Sequence, residues 1–125
     1  MATIKSYTDI EQSKRLSDIL PHESADMRFC FSHTLGGRIT GHYPMIGREP
    51  SLGTIPCWSL TALIELLPNK IVVNNENYFL NFTKKNVEYR GIVTWDGQKC
   101  ISTKAENLLD ACYNMIVKLK KDNIL

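Results

Sequence analysis

Four residues in the first half of the chain have side chains that bind metals or act as nucleophiles: Cys30, His33, His42 and Cys57. Cys30 and His33 have the Cys-x-x-His spacing of one half of a zinc site. A structural zinc site needs a second close pair, and His42 and Cys57 are 15 residues apart. Alternation along residues 27–32 leaves Cys30 on the outer face of a strand. That position leaves a metal site open. Because the second pair is not close in sequence, we expect no bound metal or cofactor, and these four residues define a metal or thiol alternative.

Cys57 is also a candidate nucleophile, because it lies just before an apolar helix whose dipole would lower the pKa of a thiol. Its neighbours Pro56 and Trp58 lead straight into that helix, and burial there would raise the thiol pKa instead. No acidic partner stands at a recognisable spacing. The sequence therefore favours a protein that is not an enzyme.

The charge balance, the glycine pattern and the hydropathy of the chain exclude further classes of function. The chain carries 15 Lys and Arg against 13 Asp and Glu, a balance without a basic stripe or an acidic tail. The glycines around Gly36-Gly37 do not form a phosphate-binding loop. No apolar run is long enough to span a bilayer, and the first residues lack the apolar segment of a signal peptide. We therefore expect a cytoplasmic protein without a membrane partner.

The last forty residues give the clearest structural pattern. Strand-like alternation over Val87–Trp95 and over Gln98–Thr103, joined by Asp96-Gly97, predicts a hairpin with a type I′ turn, in which both central residues have positive φ. Asn107 then caps a helix over about residues 107–121, whose apolar positions fall on one face. That predicted face consists of Leu108, Ala111, Cys112, Met115 and Leu119.

The rest of the chain is predicted as follows. A capping box of Thr8 and Glu11 begins a helix over about residues 8–20, and Ser59 caps a buried helix over about 59–67. Strands are expected at 27–32, around 38–43, at 71–73 and at 78–82, with a Gly/Pro-rich loop over about 33–56. The pattern predicts a single α+β domain, 1–125, with one antiparallel sheet of about four to five strands and two or three helices on one face.

The C-terminal half is predicted in α-β-β-β-α order, the order of double-stranded RNA-binding domains. Such domains bind phosphates with basic residues, and the basic candidates here are Lys84, Lys85, Arg90 and Lys104. The segment before the last helix, residues 102–107, carries one lysine and one glutamate, so its charge cancels. Nucleic-acid binding is therefore the alternative function.

The segment 33–56 is the leading candidate for a binding surface. Long Gly/Pro-punctuated segments are often binding loops. Its apolar side chains include Tyr43, Met45, Ile46 and Leu52. We expect a non-enzymatic interaction protein that binds an unknown protein partner or a second copy of itself.

Three segments together resemble a group of small uncharacterised proteins from gut Bacteroidetes and their phages or other mobile elements. The segments are Tyr7–Leu16 with Ile19–Pro21 and Glu23–Met27, Ile55–Leu60 with Leu66–Pro68, and Asn107–Cys112 with Met115-Ile116 and Lys118-Leu119. They cover roughly half of the chain, and many relatives carry proline where Leu108 stands, which suits the first position of a helix. The resemblance implies an accessory protein of a mobile element, and it implies no activity, cofactor or site residue.

Overall fold

The computed structural model describes residues 5–33, 39–46 and 54–125, with 31–33 and 39–42 described by their backbone alone. Its elements, in chain order, are α1 (Ile10–Ile19), a 3-10 turn (His22–Ser24), β1 (Met27–His33), β2 (Ile39–Ile46), β3 (Ile55–Cys57), α2 (Leu60–Leu66), β4 (Lys70–Val73), β5 (Glu76–Phe82), β6 (Asn86–Thr94), β7 (Gly97–Lys104) and α3 (Leu108–Lys121). No helix in these described stretches is long and apolar enough to cross a membrane.

The α+β class is confirmed, and the single sheet is wrong. The described strands form a three-stranded sheet in the order β2-β1-β3 and a four-stranded sheet in the order β4-β5-β6-β7. The chain falls into two compact units, residues 7–62 and residues 63–125 together with residues 5 and 6. The prediction of a single domain stays a prediction.

The unit of residues 7–62 is built on an antiparallel β1–β2 pair. Met27 pairs with Ile46 and Ser32 with Gly41, which confirms the predicted strand pair. The loop predicted over 33–56 is wrong at 44–46, where β2 continues past the strand predicted around 38–43, and at 55–56, which belong to strand β3. β3 pairs with the other edge of β1, and α1 packs along β3.

The N-terminal cap of α1 lies one residue later than predicted. The Asp9 side chain accepts a hydrogen bond from the Gln12 backbone at 2.8 Å, and the Gln12 side chain accepts one from the Asp9 backbone at 3.1 Å. The predicted pair, Thr8 and Glu11, has the same spacing. Thr8 does not cap the helix because its hydroxyl is fully buried and bonds to Ser13 instead.

The unit of residues 63–125 carries four strands between α2 and α3, not three. The α-β-β-β-α order of a double-stranded RNA-binding domain is therefore wrong. α3 packs against β6 and β7, the last two strands of the sheet. β6 is a central strand, and β7 is an edge strand.

The cap and the buried face of α3 follow the sequence prediction closely. Asn107 accepts a hydrogen bond from the Asp110 backbone at 2.8 Å. Four of the five residues predicted to face the core are fully buried, namely Ala111, Cys112, Met115 and Leu119. Leu109, rather than Leu108, completes the buried set together with Ile116.

The two-residue turn with two positive φ angles joins β4 to β5, not β6 to β7. Asn74 and Asn75 have φ angles of 52° and 64°. At the predicted type I′ turn only Gly97 has a positive φ, of 125°, so the turn type assigned to Asp96-Gly97 is wrong although the hairpin itself forms. Asparagine tolerates the left-handed region, which explains why the Asn-Asn pair can replace Asn-Gly.

Candidate functional site

The two cysteines of the proposed metal quartet lie on opposite faces of the three-stranded sheet. Cys57 pairs directly with Met27, so both side chains share a face. Cys30 is three positions further along β1 and therefore has the opposite orientation. The strand geometry therefore does not bring the two thiols to one metal ion, and the metal or thiol alternative stays a prediction.

The two histidines of that quartet give no support for a metal site. The side chains of His33 and His42 lie outside the described residues. In the described part of the chain, no group of three or more His, Cys, Asp or Glu side chains could hold a metal ion.

The Cys57 thiol is a buried structural group. Its Sγ lies 3.6 Å from the Thr8 hydroxyl and 3.5 Å from the Thr8 carbonyl oxygen. Burial, together with the charge of Asp26, raises the pKa of the Cys57 thiol more than the hydrogen bonds from Thr8 and Ser13 lower it. A neutral, enclosed thiol is a poor nucleophile, as the sequence argument anticipated.

A serine and a histidine that sequence analysis did not single out lie in contact after α1. The Nε2 atom of His22 is 2.9 Å from the Ser17 hydroxyl and 3.1 Å from the Ser17 carbonyl oxygen. Because a carbonyl only accepts, Nε2 must carry the hydrogen, and it cannot at the same time take the hydroxyl proton. The contact therefore closes the end of a helix and does not activate Ser17.

The polar groups around Trp58 are also structural. The indole N–H donates to the Ser24 hydroxyl at 3.0 Å. The Asp26 carboxylate accepts from both the backbone and the hydroxyl of Ser59, and that hydroxyl in turn accepts from the Ala62 backbone at 3.1 Å. Ser59 thus caps α2 as predicted, with Asp26 holding its hydroxyl in place.

Of the four residues proposed for the interaction loop, the structure describes three, and these three lie on a strand. Tyr43, Met45 and Ile46 are exposed on β2, an edge strand, and Ile46 reaches 86% exposure. Leu52 lies outside the described residues. Their exposure is compatible with a binding surface, although the loop geometry behind the prediction does not apply to them.

The four basic candidates do not converge on one patch. Lys84 and Lys85 form the β5–β6 turn, and the backbone of Lys85 bonds to that of Ala105 at 3.0 Å, next to Lys104. Three exposed lysines therefore lie at one end of the four-stranded sheet. Arg90 is four positions along β6 from Asn86, the residue that pairs with Lys104, and so is about 13 Å away along the strand.

Arg90 is held by a carboxylate on the face of the sheet opposite α3. Its Nε donates to Glu88 at 2.5 Å, and Asn81 donates to the same carboxylate at 3.1 Å. Burial raises the pKa of Glu88, but the hydrogen bonds from Arg90 and Asn81 and the charge of Arg90 lower it further, so the net pKa is below its usual value. Glu88 stays ionised and neutralises Arg90. Lys104, which pairs with Asn86, lies on the same face of the sheet.

The most exposed apolar side chains of this unit lie at the tip of the β6–β7 hairpin. Trp95 is 98% exposed, Val93 71% and Ile92 61%. At the base of the same hairpin, Val87 and Tyr89 are fully buried. The base therefore fixes the hairpin to the sheet, while its apolar tip extends into solvent.

Alternation places Val93 and Trp95 on the same face of β6 as the buried Val87 and Tyr89, so the sequence pattern did not indicate this exposed surface. The β6–β7 register shifts between Arg90 and Val93, so alternation cannot be continued across that point. Gly91 lies within the shift, and a glycine inside a strand pattern was the one available signal of such an irregularity.

The chain matches no protein-family model, and no curated protein or solved structure is significantly similar to it.

Proposed function

We propose that this chain is a non-enzymatic interaction protein, an accessory factor of a phage or mobile element, and that the β6–β7 hairpin is its binding element. The observation that supports the proposal is the exposed set Ile92, Val93 and Trp95. Exposed apolar patches with a tryptophan are typical of protein-binding surfaces, where tryptophan is enriched among the residues that contribute most to affinity.

The contacts that hold the hairpin in place support this role. Tyr89, at its base, is fully buried and its hydroxyl donates to the Pro68 carbonyl at 2.7 Å. At the tip, the Thr94 hydroxyl donates to Asp96 and contacts the Gly97 carbonyl. A binding element that is ordered before it meets its partner loses less conformational entropy on binding.

Site-specific photo-crosslinking tests the proposal. A benzophenone side chain at Trp95 or Val93 should give a discrete protein adduct in cells of a gut Bacteroidetes host. The same group at Asn114, an exposed position on α3, should give none. An adduct at Ile46 but not at Trp95 would transfer the binding role to β2, and the absence of any adduct would contradict an interaction protein.

Nucleic-acid binding is a second candidate, favoured by the lysines at one end of the four-stranded sheet, Lys84, Lys85 and Lys104. Such a site would bind phosphates, so affinity should fall steeply with added salt. A gel-shift titration at low salt, with single- and double-stranded RNA and DNA, tests it. No shift at tens of micromolar protein would remove this candidate, because even non-specific binders reach roughly 10⁻⁴–10⁻⁶ M.

A further inference from the structure

We infer that the face of the four-stranded sheet opposite α3 binds single-stranded nucleic acid. In this arrangement the Phe79 ring stacks on a base, and Lys70 and Lys104 contact phosphates. We call this surface, which carries Phe79, Glu88 and Arg90, the open face. It does not include the hairpin tip, so the inference adds a second binding surface to the proposed function. It also gives the nucleic-acid candidate a type of strand and specific contacts.

Packing of α3 defines the other face of the sheet. The Thr103 hydroxyl donates to the Ala111 carbonyl on α3 at 2.8 Å, and Thr103 lies directly opposite Val87 on β6. Side chains alternate between the two faces along a strand, so Arg90, three positions after Val87, has the opposite orientation. Lys104, the neighbour of Thr103 on β7, shares the face of Arg90 for the same reason.

One row of side chains crosses the open face over three neighbouring strands. Lys70 on β4 lies directly opposite Phe79 on β5, and Phe79 lies directly opposite Arg90 on β6. Directly opposite residues in an antiparallel pair share a face and have Cβ atoms about 4.5–5.5 Å apart. The row therefore places an aromatic ring between two basic side chains.

Phe79 is exposed although it lies in the middle of an inner strand of the sheet. Its exposed fraction is 57%, and its two basic neighbours, Lys70 and Arg90, are exposed as well. A base can therefore lie against the ring while its phosphates meet positive charge. Stacking on an aromatic side chain needs a base whose face is free, and in a duplex the neighbouring base pairs cover that face. The geometry therefore selects single strands.

The charges on the open face suit a polyanion. All residues of strands β4–β7 are described, and the charged side chains that these strands carry on the open face are Lys70, Glu88, Arg90 and Lys104. Glu88 is only 9% exposed and is bonded to Arg90, so the positive balance comes from the two lysines. They lie on the two edge strands, and a nucleic-acid strand that contacts both passes Phe79, which is beside Lys70.

The remaining side chains favour nucleic acid over a protein partner. Away from the hairpin tip, the large apolar side chains exposed on the open face are Val72 and Phe79. The amides of Asn77 and Asn81 and the hydroxyl of Ser102 lie around them on the same face. Lysine is depleted at the centre of protein interfaces, whereas amides and hydroxyls can donate to and accept from the edges of bases.

Fluorescence anisotropy on the full chain, with labelled single-stranded RNA and DNA oligonucleotides and the matching duplexes, tests the inference. We expect single strands of at least one kind to bind about 5-fold or more tightly than duplex. Phe79→Ala should raise the Kd about 10-fold, and Phe79→Tyr, which keeps the ring, should stay within about 3-fold. Trp95→Ala, which removes an exposed ring at the hairpin tip, is the matched control and should leave the Kd unchanged.

Salt dependence separates the phosphate contacts from the stacking. Lys70→Gln and Lys104→Gln should each reduce the slope of log Kd against log salt by about 0.7, the value for one phosphate contact on a single strand. Phe79→Ala should raise the Kd without changing that slope. Lys99→Gln is the matched control, because Lys99 is exposed but lies on the face of α3, where it is bonded to Glu76 at 3.2 Å. It should leave the slope unchanged.

The outcomes distinguish the inference from the proposed function. If Phe79→Ala binds as tightly as the original chain, or duplex binds as tightly as single strands, the inference is overturned. Absence of any binding at tens of micromolar protein overturns it together with the nucleic-acid candidate, because even non-specific binders reach roughly 10⁻⁴–10⁻⁶ M. Photo-crosslinking at Val93 tests the hairpin separately, and its adduct should persist in a Phe79→Ala background.

Discussion

The base and the tip of the β6–β7 hairpin belong to the same two strands and have similar apolar composition, yet they lie in opposite environments. Val87 and Tyr89 are covered by protein, whereas Val93 and Trp95 face solvent. The difference arises because α3 packs against β6 and β7 while the register shift after Arg90 redirects the rest of the hairpin. Apolar alternation indicates a strand, and it does not indicate which part of the strand is covered.

The largest effect is expected where α3 covers the base. Met115 is fully buried on α3, and Met115→Asp places a charge where no partner is available. We expect loss of cooperative unfolding, measured by circular dichroism on heating. Met115→Leu, which keeps the volume, should cost less than about 1.5 kcal/mol. An Asp variant that melts like the original would refute the assigned α3 face.

The second test compares the two halves of the hairpin directly. Tyr89→Ala removes a buried ring and the hydrogen bond to Pro68, and should lower the free energy of unfolding by about 3–5 kcal/mol. Trp95→Ala removes a larger ring that touches solvent, and should change it by no more than about 0.5 kcal/mol. Denaturant unfolding measures both free energies, and similar costs would contradict the distinction between base and tip.

Gly91 marks the point where the two halves meet. A Cβ atom at this position would lie 2.8 Å from Cε1 of Tyr78 and 3.2 Å from the carbonyl oxygen of Lys99. Tyr78 is itself buried, so Gly91→Ala should cost about 1–3 kcal/mol through overpacking. Gly97→Asn at the tip meets no atom within 4 Å, and its cost should come only from the positive φ. If Gly91→Ala leaves the free energy of unfolding unchanged or raises it, the sheet has room for a side chain at this position.

The smallest effect concerns the face of the base that α3 does not cover, and it depends on pH. The pKa of Glu88 is lower in the folded chain than its usual 4.5, so its ionised form stabilises the fold. That contribution is fully present above about pH 4.5 and is lost as the pH falls through the lower folded pKa. Glu88→Gln should cost about 1 kcal/mol at pH 7, and the difference should vanish in acid. A cost that does not change with pH would contradict the ion-pair account.

Local patterns in this sequence predict local structure well. Asn107 and Ser59 cap the helices assigned to them, and the hairpin around Asp96-Gly97 forms. These features depend on a few neighbouring residues. The cap at Thr8 failed for a different reason, because Asp9 offers an equivalent cap and only tertiary packing buries Thr8.

Long-range pairing was not predictable in the same way. β3 has three residues, one of them Pro56, so its pattern does not identify a strand. Its pairing with β1 divides the strands into two sheets and places Cys30 and Cys57 on opposite faces. The exposed tip was missed because one register shift, invisible to a pattern of period two, separates it from the base.

The order of elements along the chain has a consequence for synthesis. Tyr89 leaves the ribosome before any part of α3, the helix that packs against its strand, and Lys121 follows 32 residues later. At about 5–20 residues per second, this interval lasts roughly 2–6 seconds. During that time an apolar sheet face and the free edge of β7 are uncovered together on neighbouring nascent chains. The rate at which residues 90–121 emerge should therefore influence how much of the protein aggregates before it folds.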